Sequence, residues 1–334
     1  MKKIRFALLG LFLGFLAASC SKESSVAFSA MNTAMHITSY GKKSEKANAV
    51  CKKRIEELEK ILSTTMDDSD IFKLNNAKGK PCSVHPETAF LLDFTLNFAK
   101  KTGNAFNPAL YPVTRSWGFT TGSYRVPSAE EIEKLLALTD IRNVLVDGDT
   151  VSLSCGSMLD LGAAGKGFAG DEAVKLLKEK GIKSAILDLG GNVQALGCKP
   201  NGKPWTIGLR SPDDDGVPVA LKVCDCAVVT SGGYERFFTA EDGRTFVHIL
   251  DGRTGIPVEN ELVSATIVAE SGLYADVLST TVFVLGKEAA TELWRGSHDF
   301  EMILLLEDGS LAYTEGLSDK ISVLSDFSKI EIIR

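Results

Sequence analysis

Apolar positions recur along this chain with two periods. From Ser44 onward, Ala47, Val50, Ile55, Leu58, Ile61 and Leu62 follow helical spacing, which predicts a helix with one buried face. Pro86 to Lys101 repeats the theme, with proline in the first turn and Gly103 as a stop. Ser128 and Glu131 predict a capping box that opens a short helix ending near Leu138. Further helices are predicted from Lys166 to Lys180, ending at Gly181, from Ser271 to Leu285, ending at Gly286, and from Lys287 to Arg295. Between them lie strand-like runs: Ser184 to Leu189, Trp205 to Leu209, Val217 to Val223, Ala227 to Thr230, Thr245 to Leu250, Val263 to Ala269 and Phe300 to Leu306. They cluster in the second half and are often joined by short Gly and Asp turns. The pattern predicts an α+β architecture, a mostly antiparallel sheet packed with helices. The strict strand–helix alternation of a doubly wound parallel sheet is absent.

The first residues read as an address. Lys2, Lys3 and Arg5 precede an apolar run from Phe6 to Leu16, then Ala17, Ala18, Ser19 and Cys20. Residues 1–19 therefore read as a secretory signal, too short to span a bilayer comfortably, which takes about 20 residues. Small residues directly before a cysteine resemble the bacterial lipobox, in which the cysteine takes lipid and becomes the mature N-terminus. An ordinary signal with an incidental Cys20 is the alternative. Ser21 to Ser29 is small and polar and reads as a tether, so residues 20–29 would link the lipid to a body spanning 30–334. The expected location is exported and anchored to a bacterial membrane, facing the periplasm or exterior.

Charge and cysteines narrow the classes. A net charge of −6 argues against a nucleic-acid partner. Six cysteines follow Cys20: Cys51, Cys82, Cys155, Cys198, Cys224 and Cys226. In an exported protein they would pair or stay as buried thiols, with a connectivity the sequence leaves open. Cys224-Asp225-Cys226 lacks the spacing of a zinc or thioredoxin motif.

Three stretches carry candidate chemistry. Asp160-Leu161-Gly162-Ala163-Ala164-Gly165-Lys166-Gly167 is rich in small residues, so a ligand can approach the backbone. A helix follows, whose free N–H groups and dipole favour an anion, and Lys166 adds positive charge. The set suits a phosphate or diphosphate; a tight turn with a solvated lysine would share the composition. It is not a Walker loop, because Gly167 stands where that motif has Ser/Thr and Asp160 where it has its first glycine. In the helix from Ser271 to Leu285, Asp276 sits among apolar residues, past the reach of the first-turn N–H groups. Buried without a partner it would be costly. Asp276 and Thr280 share one face, and carboxylate plus hydroxyl suits Mg²⁺; an arginine partner, or Thr280 itself, would also satisfy it. Third, His248 lies in a strand that runs into the Gly-rich turn Asp251-Gly252-Arg253-Thr254-Gly255. Histidine is the natural base near neutral pH, although a lone strand histidine also serves as a core residue. Asp188-Leu189-Gly190-Gly191-Asn192 and Thr230-Ser231-Gly232-Gly233-Tyr234-Glu235-Arg236 are two more loaded turns.

In order, these segments resemble the ApbE family, the FAD:protein FMN transferases. The matching stretches are Met31-Asn32-Thr33, Ser69 to Asn75, Phe106-Asn107-Pro108, Trp117-Gly118-Phe119, Leu159 to Asp171, Asp188 to Asn192, Thr230 to Phe238, His248 to Pro257 and Ala275 to Leu285. The resemblance implies an ApbE-like, T-fold-like architecture over 30–334. It implies FAD as substrate, with Asp160, Gly165 and Lys166 at its diphosphate, and Mg²⁺ held by Ala163 through its carbonyl, Asp276 and Thr280. His248 would take the proton of the acceptor hydroxyl. Met31, Thr33, Trp117, Gly118 and Phe119 would border the flavin or adenine, and Ser231 and Asp188 would support ligand and loops. The family's Met-Gly-Thr is Met-Asn-Thr here. The implied partners are flavoprotein subunits of membrane redox complexes. An FAD diphosphatase and a non-catalytic FAD-binding lipoprotein are the rival readings.

Overall fold

The computed structural model describes residues 22–212 and 216–334; the signal segment and Cys20 lie outside them. The chain starts with a hairpin, β1 (Glu23–Ala30) and β2 (Thr33–Tyr40), followed by α1 (Ser44–Leu62) and α2 (Asp70–Asn76). A short β3 (Cys82–Ser83) precedes α3 (Pro86–Lys101), α4 (Tyr111–Ser116) and α5 (Ala129–Leu136). Then come β4 (Val144–Asp147), β5 (Thr150–Leu153) and α6 (Gly162–Glu179). A run of strands follows: β6 (Ala185–Asp188), β7 (Asn192–Leu196), β8 (Trp205–Leu209), β9 (Val219–Val223) and β10 (Cys226–Gly232). The hairpin β11 (Phe237–Thr239) and β12 (Thr245–Val247) leads to β13 (Leu262–Ala269) and α7 (Gly272–Ser297). The chain finishes with β14 (Glu301–Leu306), β15 (Leu311–Thr314), β16 (Ile321–Val323) and β17 (Ile330–Ile333).

One nine-stranded sheet, in the order β1-β2-β6-β7-β10-β13-β14-β15-β17, organises the molecule. Its ladders are antiparallel, apart from the parallel β15–β17 pair. This is the α+β, mostly antiparallel arrangement read from the pattern. One face packs Ile37, Leu187, Ile267 and Leu304 against Ile55 and Leu58 of α1, Leu177 of α6 and Val277 and Val282 of α7. The other face sets Val228, Ile303 and Tyr313 against Trp205, Ile207 and Leu221 of a three-stranded sheet, β16-β9-β8. A third cluster joins Val113, Trp117, Phe119 and Ile132 to Phe246 and Leu250. No helix among the described residues is long and apolar enough to cross a membrane.

Several expectations are corrected. Residues 23–29 of the stretch read as a tether lie in strand β1, paired along its whole length with β2; Val26, Phe28 and Ala30, separated by Ala27 and Ser29, pack on the helical side. Helix α6 begins at Gly162, four residues earlier than the pattern suggested, so the glycine-rich segment is its first turn. Ser128 does cap α5 through Glu131 N–H. The Glu131 carboxylate feels the Ser128 backbone N–H in return, as a capping box requires, and also pairs with Arg125. The two helices expected on either side of Gly286 are both present, separated by a non-helical kink at that glycine, φ 76°, and α7 names them together. Cys198 and Cys224 form a disulfide, and Cys51 is a buried thiol.

Candidate active site

Helices α6 and α7 cross with almost no side chain between them. A Cβ at Gly167 would lie 2.2 Å from the Gly272 carbonyl oxygen and 2.7 Å from Asp276 Cβ. This contact lets Gly167 N–H donate to Asp276 Oδ2 at 2.7 Å. Asp276 is buried, and its partner is neither an arginine nor Thr280 but this backbone amide. Burial pushes its carboxyl above the usual range, while the Lys166 charge and the Gly167 N–H oppose the shift. Gln194, from β7, donates to the Gly167 carbonyl at 3.1 Å. Asp171 caps α7, accepting from Ser271 Oγ and from the amides of Gly272 and Leu273.

Lys166 points from the first turns of α6 toward the double-glycine turn, with Nζ 3.4 Å from the Gly190 carbonyl. Asp188 Oδ1 accepts from Gly190 N–H and holds that turn. Gly190 has φ +70°, and a Cβ there would strike Thr33 Oγ1 at 2.1 Å. Thr33 therefore lies directly over the turn. Met31 and Asn32, the two turn residues between β1 and β2, have φ of 50° and 60°. That is a hairpin turn with two left-handed residues. It explains why the family's glycine position accepts asparagine, the side chain that best tolerates this conformation.

At the start of α6, Asp160 Oδ1 accepts from Gly162 N–H at 2.8 Å. Gly165 is buried, yet no atom beyond its chain neighbours and its own turn of helix backbone lies within 4 Å of where its Cβ would be. Ala163 and Gly165 thus sit in a first turn with open space beside it, which a ligand can fill. Ser231, on β10, is 2.8 Å from Ser279 Oγ and 3.4 Å from Thr280 Oγ1, so it steadies the α7 face that carries Thr280.

His248 follows β12. Its backbone N–H and its ring Nδ1 both lie against the Arg236 carbonyl, at 3.0 and 3.1 Å. A carbonyl only accepts, so Nδ1 carries the proton and Nε2 keeps its lone pair. Burial pushes the imidazole down from 6.5 to about 4; the Arg236 and Lys166 charges push the same way, against the Arg236 carbonyl. Lys166 is thus the electrostatic neighbour of both Asp276 and His248. The ring of Phe119 meets His248 edge-on, centroids 6.5 Å apart. Trp117 is only 2% exposed. Its indole N–H donates to the Gly255 carbonyl, so it braces the turn after His248 from within the core and offers no face to a ligand. Gly118, φ +86°, sits under the Ser123 carbonyl, which a Cβ would strike at 2.1 Å.

The structure also gathers groups to which the sequence assigned no individual role. Asn192 is fully buried beside Asp276, and neither its Oδ1 nor its Nδ2 has a hydrogen-bond partner. Its amide favours the charged form of Asp276 yet stays outside hydrogen-bond geometry. A polar residue in an otherwise apolar strand was the available signal for Asn192 and Gln194. The Arg236 carbonyl has no signal in the sequence.

A model of the ApbE family matches residues 31–304. The chain belongs to the ApbE family. Its relatives include a protein of Treponema pallidum (strain Nichols) named FAD:protein FMN transferase, 36% identical, with 81% of this chain and 80% of the relative covered. A Klebsiella pneumoniae (strain 342) protein of the same name is 34% identical, covering 76% of this chain and 80% of its own. Among solved structures, the ApbE protein of Thermotoga maritima superposes with a TM-score of 0.83 at 32% identity, covering 88% of this chain and 98% of its own. The apo flavinyl transferase ApbE of Pseudomonas stutzeri gives 0.78 at 28% identity, covering 86% and 92%. The ApbE-family match runs from the β1–β2 turn into β14, and so includes every residue described at the site.

Proposed function

We propose that this ApbE-family chain transfers FMN from FAD to a Thr or Ser hydroxyl of an acceptor flavoprotein and releases AMP. The observation that carries the reading is the position of Lys166, whose charge acts on both the buried Asp276 and the imidazole of His248. A cation between a metal-type carboxylate and a neutral base suits phosphoryl transfer, where alignment and charge stabilisation supply most of the rate.

The residues present fit Mg²⁺. Asp276 is a buried carboxylate on the same helical face as Thr280. The unpartnered amide of Asn192 lies next to it. Among the described residues no group of three or more His, Cys, Asp or Glu side chains gathers to hold a metal. Asp276 would therefore act with neutral oxygens, the Thr280 hydroxyl and the Ala163 carbonyl, a set suited to a hard cation that keeps several waters. When bound, the metal supplies Lewis-acid stabilisation of phosphate charge.

The protein's own groups account for the rest. The first turn of α6, open beside Gly165, offers amides and the helix dipole to the FAD diphosphate. Lys166 pairs with the charge that builds on the phosphate oxygens. His248 Nε2 accepts the proton of the acceptor hydroxyl as its oxygen bonds to the FMN phosphorus. The bond from that phosphorus to the bridging oxygen breaks, and the electron pair leaves with AMP. Thr33 and the Gly190 turn border the ligand at the far side of Lys166.

The acceptors in this reading are flavoprotein subunits of membrane redox complexes. The chain is exported and held at the membrane by lipid on Cys20. The Cys198–Cys224 disulfide supports export, because such bonds persist in oxidising compartments. The deciding experiment follows AMP release from FAD and Mg²⁺ with and without a candidate acceptor domain. AMP that appears in step with flavin on the acceptor supports transfer. AMP released at the same rate without acceptor would make the chain a diphosphatase.

A further inference from the structure

A cluster of lysines marks the end of the sheet opposite the active site. Lys22 immediately precedes β1, and its carbonyl accepts from Gly41 N–H and Ser44 Oγ. Lys42 and Lys43 form the turn from β2 into α1, and Lys46 lies in the first turn of α1. Tyr40 N–H donates to the Ser184 carbonyl, which brings the exposed Lys183 to the same end. Tyr40 also packs on Trp205, ring centroids 6.1 Å apart, with Lys199 over the indole; Lys203 is joined to Lys199 by a backbone hydrogen bond. Lys22, Lys42, Lys43, Lys46, Lys183 and Lys203 are all exposed.

Their charge is little neutralised. Three carboxylates lie among them: Glu45 pairs with Lys22 at 3.7 Å, Glu23 accepts from Tyr40 OH, and Asp225 accepts from Gly197 N–H. Among the described residues Lys42, Lys43, Lys46, Lys183 and Lys203 make no ion pair, whereas Lys52 and Lys53, further along α1, pair with Glu56 and Glu57. A positive pole on a chain of net charge −6 is a local feature, not an overspill of general basicity.

Its place in the fold decides what it meets. Lys22, which directly precedes β1, lies two residues after Cys20 in the sequence. The Met31–Asn32 turn and the Gly190 turn lie at the other ends of β1 and β6. β1 has eight residues, so the two ends are about 25 Å apart. We propose that the lysine pole seats on an anionic bilayer surface and turns the active-site end away from it, toward acceptors standing out of the membrane. Lysines beside a membrane-proximal segment are the recognised partner of anionic headgroups, each weakly attracted and together strong, within a Debye length. With β1 starting at Glu23, little chain remains to let the body drift from Cys20. The surface would act with or without the lipid there.

The test uses the chain from Ser21 onward, without lipid, which keeps the whole of β1. It is sedimented with vesicles of phosphatidylcholine alone and with vesicles in which about a third is phosphatidylglycerol. Binding to the anionic vesicles should be about tenfold or more tighter than to the neutral ones, and should fade with added salt. The triple variant Lys42→Gln, Lys43→Gln, Lys46→Gln should lose about tenfold or more. A control triple, Lys80→Gln, Lys100→Gln, Lys101→Gln, should stay within about twofold, and matching thermal melts would establish that both fold. Equal losses in the two triples, equal binding to neutral vesicles, or no binding by the unsubstituted chain would overturn the proposal.

Discussion

Gly167 and Asp276 are joined by one hydrogen bond, 2.7 Å from a helix amide to a buried carboxylate on the neighbouring helix. The bond exists because Gly167 has no side chain to hold α7 away. It brings the diphosphate-type turn of α6 and the carboxylate of α7 into one site, and separate effects on folding and on chemistry follow from it.

Asp276→Asn keeps an oxygen to accept the Gly167 N–H and removes the charge. Burial disfavours the charged carboxylate and Lys166 is the chief force against that shift, so the amide should fold with a melting temperature near the parent's. Transfer should fall by about 10²-fold or more, with the Mg²⁺ requirement weakened. Rates and metal dependence equal to the parent's would remove Asp276 from the metal site.

Gly167→Ala and Gly165→Ala should behave in opposite ways. At Gly167 the new methyl meets backbone at 2.2 Å, an overpacking that costs about 1–3 kcal/mol and should lower the melting temperature. At Gly165 it meets nothing within 4 Å, and helix propensity alone should stabilise the fold by about 0.5–1 kcal/mol. If the open space is where FAD lies, Gly165→Ala weakens FAD binding while raising stability. Calorimetric titration with FAD beside a thermal melt reads both; a Gly165→Ala protein with parental FAD affinity would mean the diphosphate lies elsewhere.

His248 should set the acid side of the pH profile. Burial holds its imidazole down from 6.5 to about 4 in the free protein. Nε2 should then stay unprotonated through mildly acid pH, and the ring should show no titration near pH 6.5 by NMR. Because the folded value is lower than the unfolded one, the stability from this residue is full above pH 6.5. It is lost as pH falls toward 4. A ring that titrates near 6.5 in the folded protein would contradict the half-buried, carbonyl-anchored placement.

The parts of this structure that local pattern controls were legible in the sequence. The apolar spacing from Ser44 and the proline-opened segment at Pro86 match α1 and α3, because amphipathic helices on a sheet announce their buried face. What tertiary contact controls was not legible. Gly162 to Gly167 reads as a loop by composition, yet it is helical because Gly167 and Gly272 allow two helices to touch. β1 was hidden by its serines, although Val26, Phe28 and Ala30 already alternate. Lys166, Asp276 and His248 stood out in the sequence by residue type. That Lys166 acts on both others depends on the α6–α7 crossing and the Gly190 turn. Trp117 was expected to border the flavin or adenine, and its burial under Gly255 could not be read from the sequence.

The central claim is covalent FMN transfer with His248 as base, and one gel tests it. The chain from Ser21 onward is mixed with FAD, Mg²⁺ and a candidate acceptor domain, beside His248→Ala and a chelator control, and run under denaturing conditions. The account predicts flavin fluorescence on the acceptor band, abolished by chelator and about 10²–10⁴-fold slower for His248→Ala, with FAD binding by that variant retained. A dark acceptor band beside released AMP, or a His248→Ala protein that loses binding and transfer in equal measure, would contradict it.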